Sequence, residues 1–126
     1  MSPASSTSIM VIGADSHFCY LMRRYIQKSA HSIVFAYLGE NALDLAVREQ
    51  PAAIILETDQ PDSAGWHVLE ELQSNYATSS IPVVVCSWQD EGKHGLEAGA
   101  KACLRKPILY DDFVNALESI GIVVLP

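Results

Sequence analysis

The residue most suggestive of chemistry is a carboxylate that ends an apolar run. Glu57 directly follows the apolar residues 54–56, and Pro61 comes four positions later. In open α/β sheets, ligands bind at the carboxyl ends of the strands. We therefore expect Glu57 at the place where such a protein acts, either as a reacting group or as a replacement for one.

The surrounding chain alternates between strand-like and helix-like segments. Continuous apolar runs predict strands at residues 9–12, 33–38, 53–56, 82–86 and 102–104. Apolar residues at helical spacing predict helices within 18–26, 42–47, 68–72 and 111–120, and Trp66 and His67 are expected to begin the third. A helix is also predicted over residues 89–98, but it is expected to be weak because Gly92 and Gly95 interrupt this short segment. Alternation of this kind predicts a doubly wound α/β domain with a parallel sheet.

The length of 126 residues suits one domain. We expect a disordered lead-in at 1–7, the folded domain at 8–121 and an apolar tail at 122–126. The tail is expected to pack back on the body, with a partner-binding patch as the alternative. The lead-in lacks the features of a signal peptide, which predicts a cytoplasmic protein.

Composition excludes several function classes. The net charge of -7 would repel a phosphate backbone, so nucleic-acid binding is not expected. No apolar run reaches the length of a membrane span. The three cysteines, Cys19, Cys86 and Cys103, are interpreted as small buried apolar residues, with a disulfide or metal site as the alternative. The four histidines show no metal-ligand spacing and are expected on the surface.

Three segments carry a family resemblance. They are residues 54–57 followed by Pro61 and Gly65, residues 82–87, and residues 97–100 followed by 104–107. In this order they resemble the acceptor strand and loop, the fourth strand with its hydroxyl residue, and the Lys-Pro unit of the receiver domains of two-component response regulators. The resemblance runs from Ser8 to Ile120. It implies a flavodoxin-like (βα)5 three-layer sandwich with strand order 2-1-3-4-5.

The resemblance also implies a phosphorylation site made of five groups. In the family, an Asp after the third strand accepts a phosphoryl group from a histidine kinase, and two acidic residues after the first strand hold Mg²⁺. A Ser or Thr and a Lys bind the phosphoryl oxygens. This chain keeps Ser87 and Lys106, has Glu57 at the acceptor position, and has Gly13 and Ala14 where the acidic pair belongs.

Loss of the acidic pair predicts that no cofactor is held, apart from weak Mg²⁺ binding that is left open. Mg²⁺ demands near-octahedral oxygen ligands, which Gly13 and Ala14 cannot supply. Asp15 is interpreted as the N-cap of the first helix, with a partial metal ligand as the alternative. Asp59 is interpreted as a loop residue. No metal site and no catalytic residue is predicted.

Glu57 itself has two interpretations. Its carboxylate lies one methylene further from the backbone than that of Asp, and a misplacement of about 1 Å can cost about a hundredfold in rate. The longer side chain is expected to lie nearer Lys106 and Ser87. An ion pair of Glu57 with Lys106 would then permanently mimic an occupied site. Alternatively, Glu57 is a tolerated carboxylate without meaning for signalling.

The family's switch also departs from its pattern here. Cys103 stands where the family has an aromatic residue that turns inward on activation, and a cysteine cannot reproduce the displacement of a ring. The segment between Ser87 and Gly99 is shorter than usual by about one helical turn. Trp88 is expected to pack in the core or at its rim and to fill the volume of the missing ring, with an interface anchor as the alternative.

Together these features predict a single-domain pseudo-receiver that is not an enzyme. It would signal by contact with a protein partner, either a histidine kinase, a phosphorelay protein or an output protein, and homodimer formation is left open. The alternative is a phosphoryl-accepting receiver with a rearranged site. In that case Asp59 or Asp15 takes the phosphoryl group, and Ser87 and Lys106 assist.

Overall fold

Strands and helices alternate throughout the computed structural model, which describes residues 7–37, 41–60 and 62–124. The described elements are β1 (Ser8–Gly13), α1 (Ser16–Gln27), β2 (Ser32–Tyr37), α2 (Ala42–Glu49), β3 (Ala53–Glu57), α3 (Ala64–Ser74), β4 (Val83–Ser87), α4 (Gly92–Glu97), β5 (Ala102–Arg105) and α5 (Tyr110–Ser119). Each predicted β–α unit is present. The predicted features at Leu38 and Pro61, in the lead-in 1–6 and at residues 125–126 lie outside the described residues.

The fourth helix differs most from its prediction. The sequence predicts a weak helix from residue 89 to residue 98, but α4 spans only Gly92–Glu97. The Asp90 carboxylate accepts a hydrogen bond from the Gly92 amide at 3.2 Å, which fixes the residues before the helix in a turn. A shortened α4 is consistent with the shorter segment noted between Ser87 and Gly99.

The strands form one parallel sheet in the order β2-β1-β3-β4-β5, as predicted. In register, Ile12 of β1 pairs with Leu56 of β3, and Glu57 pairs with Cys86 of β4. Ser87 pairs in turn with Arg105 of β5. Because the strands are parallel, the residues that follow β1, β3, β4 and β5 converge on one edge of the sheet.

Alternate residues of the central strands supply two separate cores. Ile9 and Val11 of β1 point to the face covered by α1 and α5. Met10 and Ile12 point to the opposite face, covered by α2 and α3. Strands buried on both faces carry continuous apolar runs, which is why these strands could be predicted from sequence.

The described part of the tail packs on the body, as predicted. Ile122 and Val124 are buried in the core beneath α1 and α5, whereas Val123 is exposed. The Val123 carbonyl lies 3.0 Å from Nε2 of His31, which ties the tail to the start of β2. Among the described residues, no helix is long and apolar enough to cross a bilayer.

Candidate functional site at the carboxyl edge of the sheet

Glu57 is a buried carboxylate whose two oxygens both have partners. Its side chain is fully buried at the end of β3. Oε1 accepts hydrogen bonds from the backbone amides of Ala14 at 2.7 Å and Asp15 at 3.1 Å. Oε2 accepts from Nζ of Lys106 at 2.5 Å. The predicted Glu57–Lys106 ion pair is therefore present, and the β1–α1 loop supplies two further donors that the sequence did not reveal.

Gly13 provides the space that the Glu57 carboxylate occupies. A Cβ atom placed on Gly13 would lie 2.6 Å from Oε1 of Glu57 and 3.1 Å from the Phe18 ring. Such a separation is far below van der Waals contact, so any side chain at position 13 would displace the carboxylate. The absence of a side chain at position 13 thus leaves the space that the longer side chain at position 57 fills.

Gly65 holds the backbone of the same residue from the other side. A Cβ atom on Gly65 would overlap the carbonyl oxygen of Glu57 and crowd Cα of Thr58. The first turn of α3 therefore lies directly against the end of β3, a close approach that glycine allows. The carboxylate is positioned by glycines on two different elements.

Lys106 is the cation of the site. It follows β5, and only 6% of its side chain is exposed. Its ammonium contacts Glu57 and also Oδ2 of Asp59 at 3.2 Å, and lies over the rings of Phe18 at 5.0 Å and Trp88 at 5.9 Å. Burial alone would lower the pKa of Lys106, but the hydrogen bond and charge of Glu57, together with Asp59, outweigh it and raise that pKa. Lys106 is accordingly held as a cation.

The two further acids have different positions. Asp15 is the N-cap of α1, where its Oδ1 accepts from the His17 amide at 2.9 Å, so the capping interpretation is confirmed. Asp59 lies in the loop after β3, as predicted, but its carboxylate also accepts from the Trp88 amide at 3.1 Å. Asp59 therefore ties Lys106 to the β4–α4 loop, a contact that sequence reasoning missed.

Ser87 is buried next to this cluster at the end of β4. Its hydroxyl oxygen accepts from the Gln89 amide at 3.1 Å, and its carbonyl accepts from the Lys106 amide at 2.7 Å. The expected approach of Glu57 to Ser87 is not realised as a hydrogen bond among the described residues, because both Glu57 oxygens have other partners. The backbone of Ser87 nevertheless fixes the start of the Lys106 segment.

The expectation for Trp88 as a filler of missing volume is wrong. Its side chain is 57% exposed, with the ring at the rim above Lys106. The space at the switch position is closed instead by α4, because a Cβ atom on Gly95 would overlap Sγ of Cys103. Cys103 thus lies directly beneath Gly95 of α4, and its Sγ contacts the backbone carbonyls of Glu91 and Gly92.

Of the three cysteines, Cys86 is fully buried as expected, whereas Cys19 and Cys103 are half-buried, and all three are free thiols. Burial raises the pKa of Cys86, and it also raises the pKa of Cys19 with help from the Glu57 charge. Three of the four histidines are exposed as expected. His31 is the exception, since its ring contacts both Thr7 and Val123 and is half-buried.

The residues at this edge do not fit Mg²⁺. Gly13 and Ala14 offer no carboxylate, and both Glu57 oxygens accept hydrogen bonds from N–H groups. Asp15 caps a helix and Asp59 faces the Lys106 ammonium. The described residues include no group of three or more His, Cys, Asp or Glu side chains arranged to hold a metal ion. An ammonium group and two backbone amides occupy the surroundings that a hard cation would need.

The fold and this edge define a class of protein. A five-stranded parallel sheet of this order, with an acid at the end of β3, a hydroxyl at the end of β4 and a lysine after β5, is the architecture of a receiver domain. The family model of the response regulator receiver domain matches residues 9–118. The chain belongs to this family, whose members are signalling modules of two-component systems.

Individual relatives agree with this assignment. The chain is 27% identical over 118 residues to the response regulator MprA of Mycobacterium bovis, covering 91% of this chain and 50% of that protein. It is 28% identical over 115 residues to MprA of Mycolicibacterium vanbaalenii, covering 89% of this chain and 49% of that protein. The chain therefore spans about half the length of these relatives.

Solved structures show the same fold. The bacteriophytochrome response regulator RtBRR superposes with a TM-score of 0.79 at 26% identity, over 93% of this chain and 79% of that one. The receiver domain of a DNA-binding response regulator from Colwellia psychrerythraea superposes with a TM-score of 0.80 at 21% identity, over 91% and 98% of the two chains. The second likeness concerns the fold alone.

Proposed function

We propose that this receiver domain is a pseudo-receiver, which signals through protein contacts without Mg²⁺-dependent phosphorylation at position 57. The observation that carries the proposal is that both carboxylate oxygens of Glu57 already accept hydrogen bonds. Glu57 is fully buried, and its oxygens are bound by Lys106 and by the amides of Ala14 and Asp15. A phosphodonor would have to displace the donors on one of these oxygens before Glu57 could attack it through that oxygen.

The ion pair also supports a fixed signalling state. In a phosphorylated receiver, the lysine of the Lys-Pro pair binds the phosphoryl charge. Here the carboxylates of Glu57 and Asp59 contact Lys106 without any phosphoryl group. The partner of such a domain would be a histidine kinase, a phosphorelay protein or an output protein, and it would read one constant conformation of this edge.

A phosphodonor assay tests the proposal. The protein is incubated with acetyl phosphate and Mg²⁺, and its intact mass is measured; no phosphoryl adduct is expected. The matched control is the triple variant Gly13→Asp, Ala14→Asp, Glu57→Asp, which restores the acids and withdraws the carboxylate that Gly13 accommodates. A stable adduct on the unmodified protein would overturn the proposal. Amide NMR shifts on adding beryllofluoride with Mg²⁺ report on the same point without covalent chemistry.

The site of any adduct would identify the alternative function. The Asp59 carboxylate lies 3.2 Å from the Lys106 ammonium and is half-buried, so it is the acid best placed for residual transfer. Its oxygen would attack phosphorus and acetate would leave. Peptide mapping that places the phosphoryl group on Asp59, or on Asp15, would establish a receiver with a rearranged site.

A binding assay separates a signalling role of the ion pair from a silent remnant. Once a partner is identified by pull-down, its affinity is compared for the unmodified protein, Glu57→Gln and Lys106→Ala. A constant mimic requires the affinity to change in both variants. Unchanged affinities would mean that the domain docks through a surface independent of this edge.

A further inference from the structure

Two neighbouring helices on one face of the sheet carry opposite charges. From Ser16 to its C-cap, α1 has no acid and three exposed basic residues, which we call the basic half: Arg23, Arg24 and Lys28. By contrast, α5 has no basic residue and three exposed acids, which we call the acidic half: Asp111, Asp112 and Glu118. The exposed surface of the two helices, the α1–α5 face, therefore has a positive side and a negative side.

The two halves are contiguous because the helices lie side by side. The ring of Tyr25 on α1 meets the rings of Tyr110 and Phe113 on α5, at centroid distances of 5.1 Å and 5.3 Å. The Tyr25 hydroxyl also donates to the carbonyl of Ile108, just before α5, at 2.8 Å. Both helices cover the same apolar core. The α1–α5 face is thus one continuous surface.

The charges on this face are not neutralised within the described part of the chain. None of the ion pairs formed there involves α1 or α5. The three cations lie instead over aromatic rings, at centroid distances of 4.9 Å for Arg23 on Phe35, 5.8 Å for Arg24 on Tyr20 and 4.8 Å for Lys28 on Tyr110. A ring orients a cation without cancelling its charge. The basic half is therefore held in place and can still pair with an external acid.

The arrangement of the charges selects a second copy of the chain as the partner. A two-fold axis between the two helices places α1 of each copy against α5 of the other, as an isologous interface requires. Each basic half then meets an acidic half, and this contact occurs twice. A nucleic acid or an anionic bilayer would instead meet the acids of α5 beside the cations, and it would be repelled by the net charge of -7.

Apolar side chains are available for the centre of such an interface. Tyr20 on α1 is 58% exposed and Leu109, the N-cap of α5, is 62% exposed. Tyr25 and Tyr110, between the helices, are half-buried. The surface is small, since α1 is only about 18 Å long. Interfaces at the lower end of the size range belong to weak and transient complexes.

We propose that two copies of this chain associate through the α1–α5 face about a two-fold axis. The dimer is weak, with a Kd on the order of 10–100 µM. The proposal goes beyond the pseudo-receiver function and does not depend on it, because none of the side chains that carry the charges contacts Glu57.

Charge reversal provides the test. One variant reverses the basic half with Arg24→Glu and Lys28→Glu, and the other reverses the acidic half with Asp112→Lys and Glu118→Lys. Self-association is measured by sedimentation equilibrium up to about 500 µM. Each variant alone should dimerise at least tenfold more weakly than the parent, because an exposed charge pair contributes roughly 1.5- to 5-fold and four pairs are lost. The acidic-half variant has a net charge nearer zero, so general repulsion predicts the opposite result for it.

The two variants should associate with each other. In an equimolar mixture, the acidic α1 of one variant meets the basic α5 of the other, and the remaining pair of helices is likewise complementary. A dimer with a Kd within about threefold of the parent's is expected. The proposal would be overturned by a mixture that stays monomeric, by an acidic-half variant that dimerises as tightly as the parent, or by assemblies larger than a dimer. A parent that shows no association at about 500 µM would overturn it as well.

Control variants locate the interface and guard against misfolding. Lys93→Glu, at an exposed position on α4, should dimerise as the parent does, and a tenfold loss there would place the interface elsewhere and contradict the proposal. Far-UV circular dichroism checks that each variant is folded. If a reversal perturbs folding, the milder pair Arg24→Gln and Lys28→Gln replaces it and should weaken dimerisation about fivefold. Amide NMR shifts should change with concentration in α1 and α5 and stay constant in α4.

Discussion

Removal of the Lys106 ammonium should destabilise the protein strongly, because it leaves a buried carboxylate without its counterion. Lys106→Met keeps most of the apolar stem and removes only the charge. Breaking a buried ion pair from one side costs about 3–5 kcal/mol. The lower end is expected here, because Oε1 of Glu57 keeps its hydrogen bonds to Ala14 and Asp15. We therefore expect a loss of about 3 kcal/mol in the free energy of unfolding.

The same substitution should cost much less when Glu57 is neutral. In the Glu57→Gln background, the amide oxygen can still accept from the β1–α1 loop, and no buried charge is left unpaired at position 57. Lys106→Met then loses only its contact with Asp59, whose side chain is 13% exposed and keeps its hydrogen bond from the Trp88 amide, at a cost of about 1 kcal/mol. The coupling free energy between positions 57 and 106 should be about 2 kcal/mol, which lies within the range for residues in contact.

Urea unfolding followed by far-UV circular dichroism measures these quantities for the four proteins of the cycle. The dependence of the free energy of unfolding on urea should stay constant, so that the midpoints report stability alone. Lys101→Met, at an exposed lysine outside the site, is the control and should change stability by no more than about 0.5 kcal/mol. A Lys106→Met cost that is equal in both backgrounds would refute the reasoning. It would mean that the backbone amides satisfy Glu57 without help from the lysine.

Two further predictions concern pH and the α4 contact. Because Glu57 and Asp59 raise the folded-state pKa of Lys106 above 10.5, the stability from this group should be complete below pH 10.5 and lost as the pH rises through the folded-state pKa. Urea titrations at increasing pH should show a stability gap between the parent and Lys106→Met that narrows above that value, and a widening gap would contradict the assignment. Gly95→Ala should lose about 1–3 kcal/mol, because the new methyl group overlaps Sγ of Cys103. Adding Cys103→Ala to the Gly95→Ala variant should restore part of this loss. Gly92→Ala is the control and should be neutral or stabilising, because a Cβ there meets only Asp90 at 3.5 Å. Thermal unfolding of these variants measures the differences.

Much of the fold could be predicted because its strands are buried on both faces. The runs 54–56 and 83–86 lie wholly inside the protein, and a continuous apolar run is the sequence signal of such a strand. The start of α4 could not be predicted in the same way. Local propensity at Gly92 and Gly95 is weak, and the helix is positioned by Asp90 and by close packing on Cys103, which are tertiary contacts.

The candidate site was predictable in outline and not in detail. Glu57 and Lys106 could be paired from sequence because the carboxyl ends of parallel strands meet at one edge. The hydrogen bonds from the amides of Ala14 and Asp15 to Glu57 could not be predicted from sequence. Nearly every residue carries a backbone N–H group, and only the path of the loop decides which group it points toward. Trp88 lies at the rim, one of the two positions expected for it, but it does not fill the volume at position 103, because an indole after a buried strand is compatible with either side of the loop. The apolar pattern alone does not decide its direction.

The fit between Gly13 and Glu57 constrains how this site could change over evolutionary time. An aspartate introduced at position 13 alone would meet the Glu57 carboxylate, both sterically and as a like charge. Shortening Glu57 alone would withdraw the carboxylate from two amides and from Lys106. Either of these two steps toward a metal-binding site, taken alone, thus passes through a damaged intermediate. Positions 13 and 57 are therefore coupled, and restoring the acids of the family requires both to change together, in addition to the exposed Ala14.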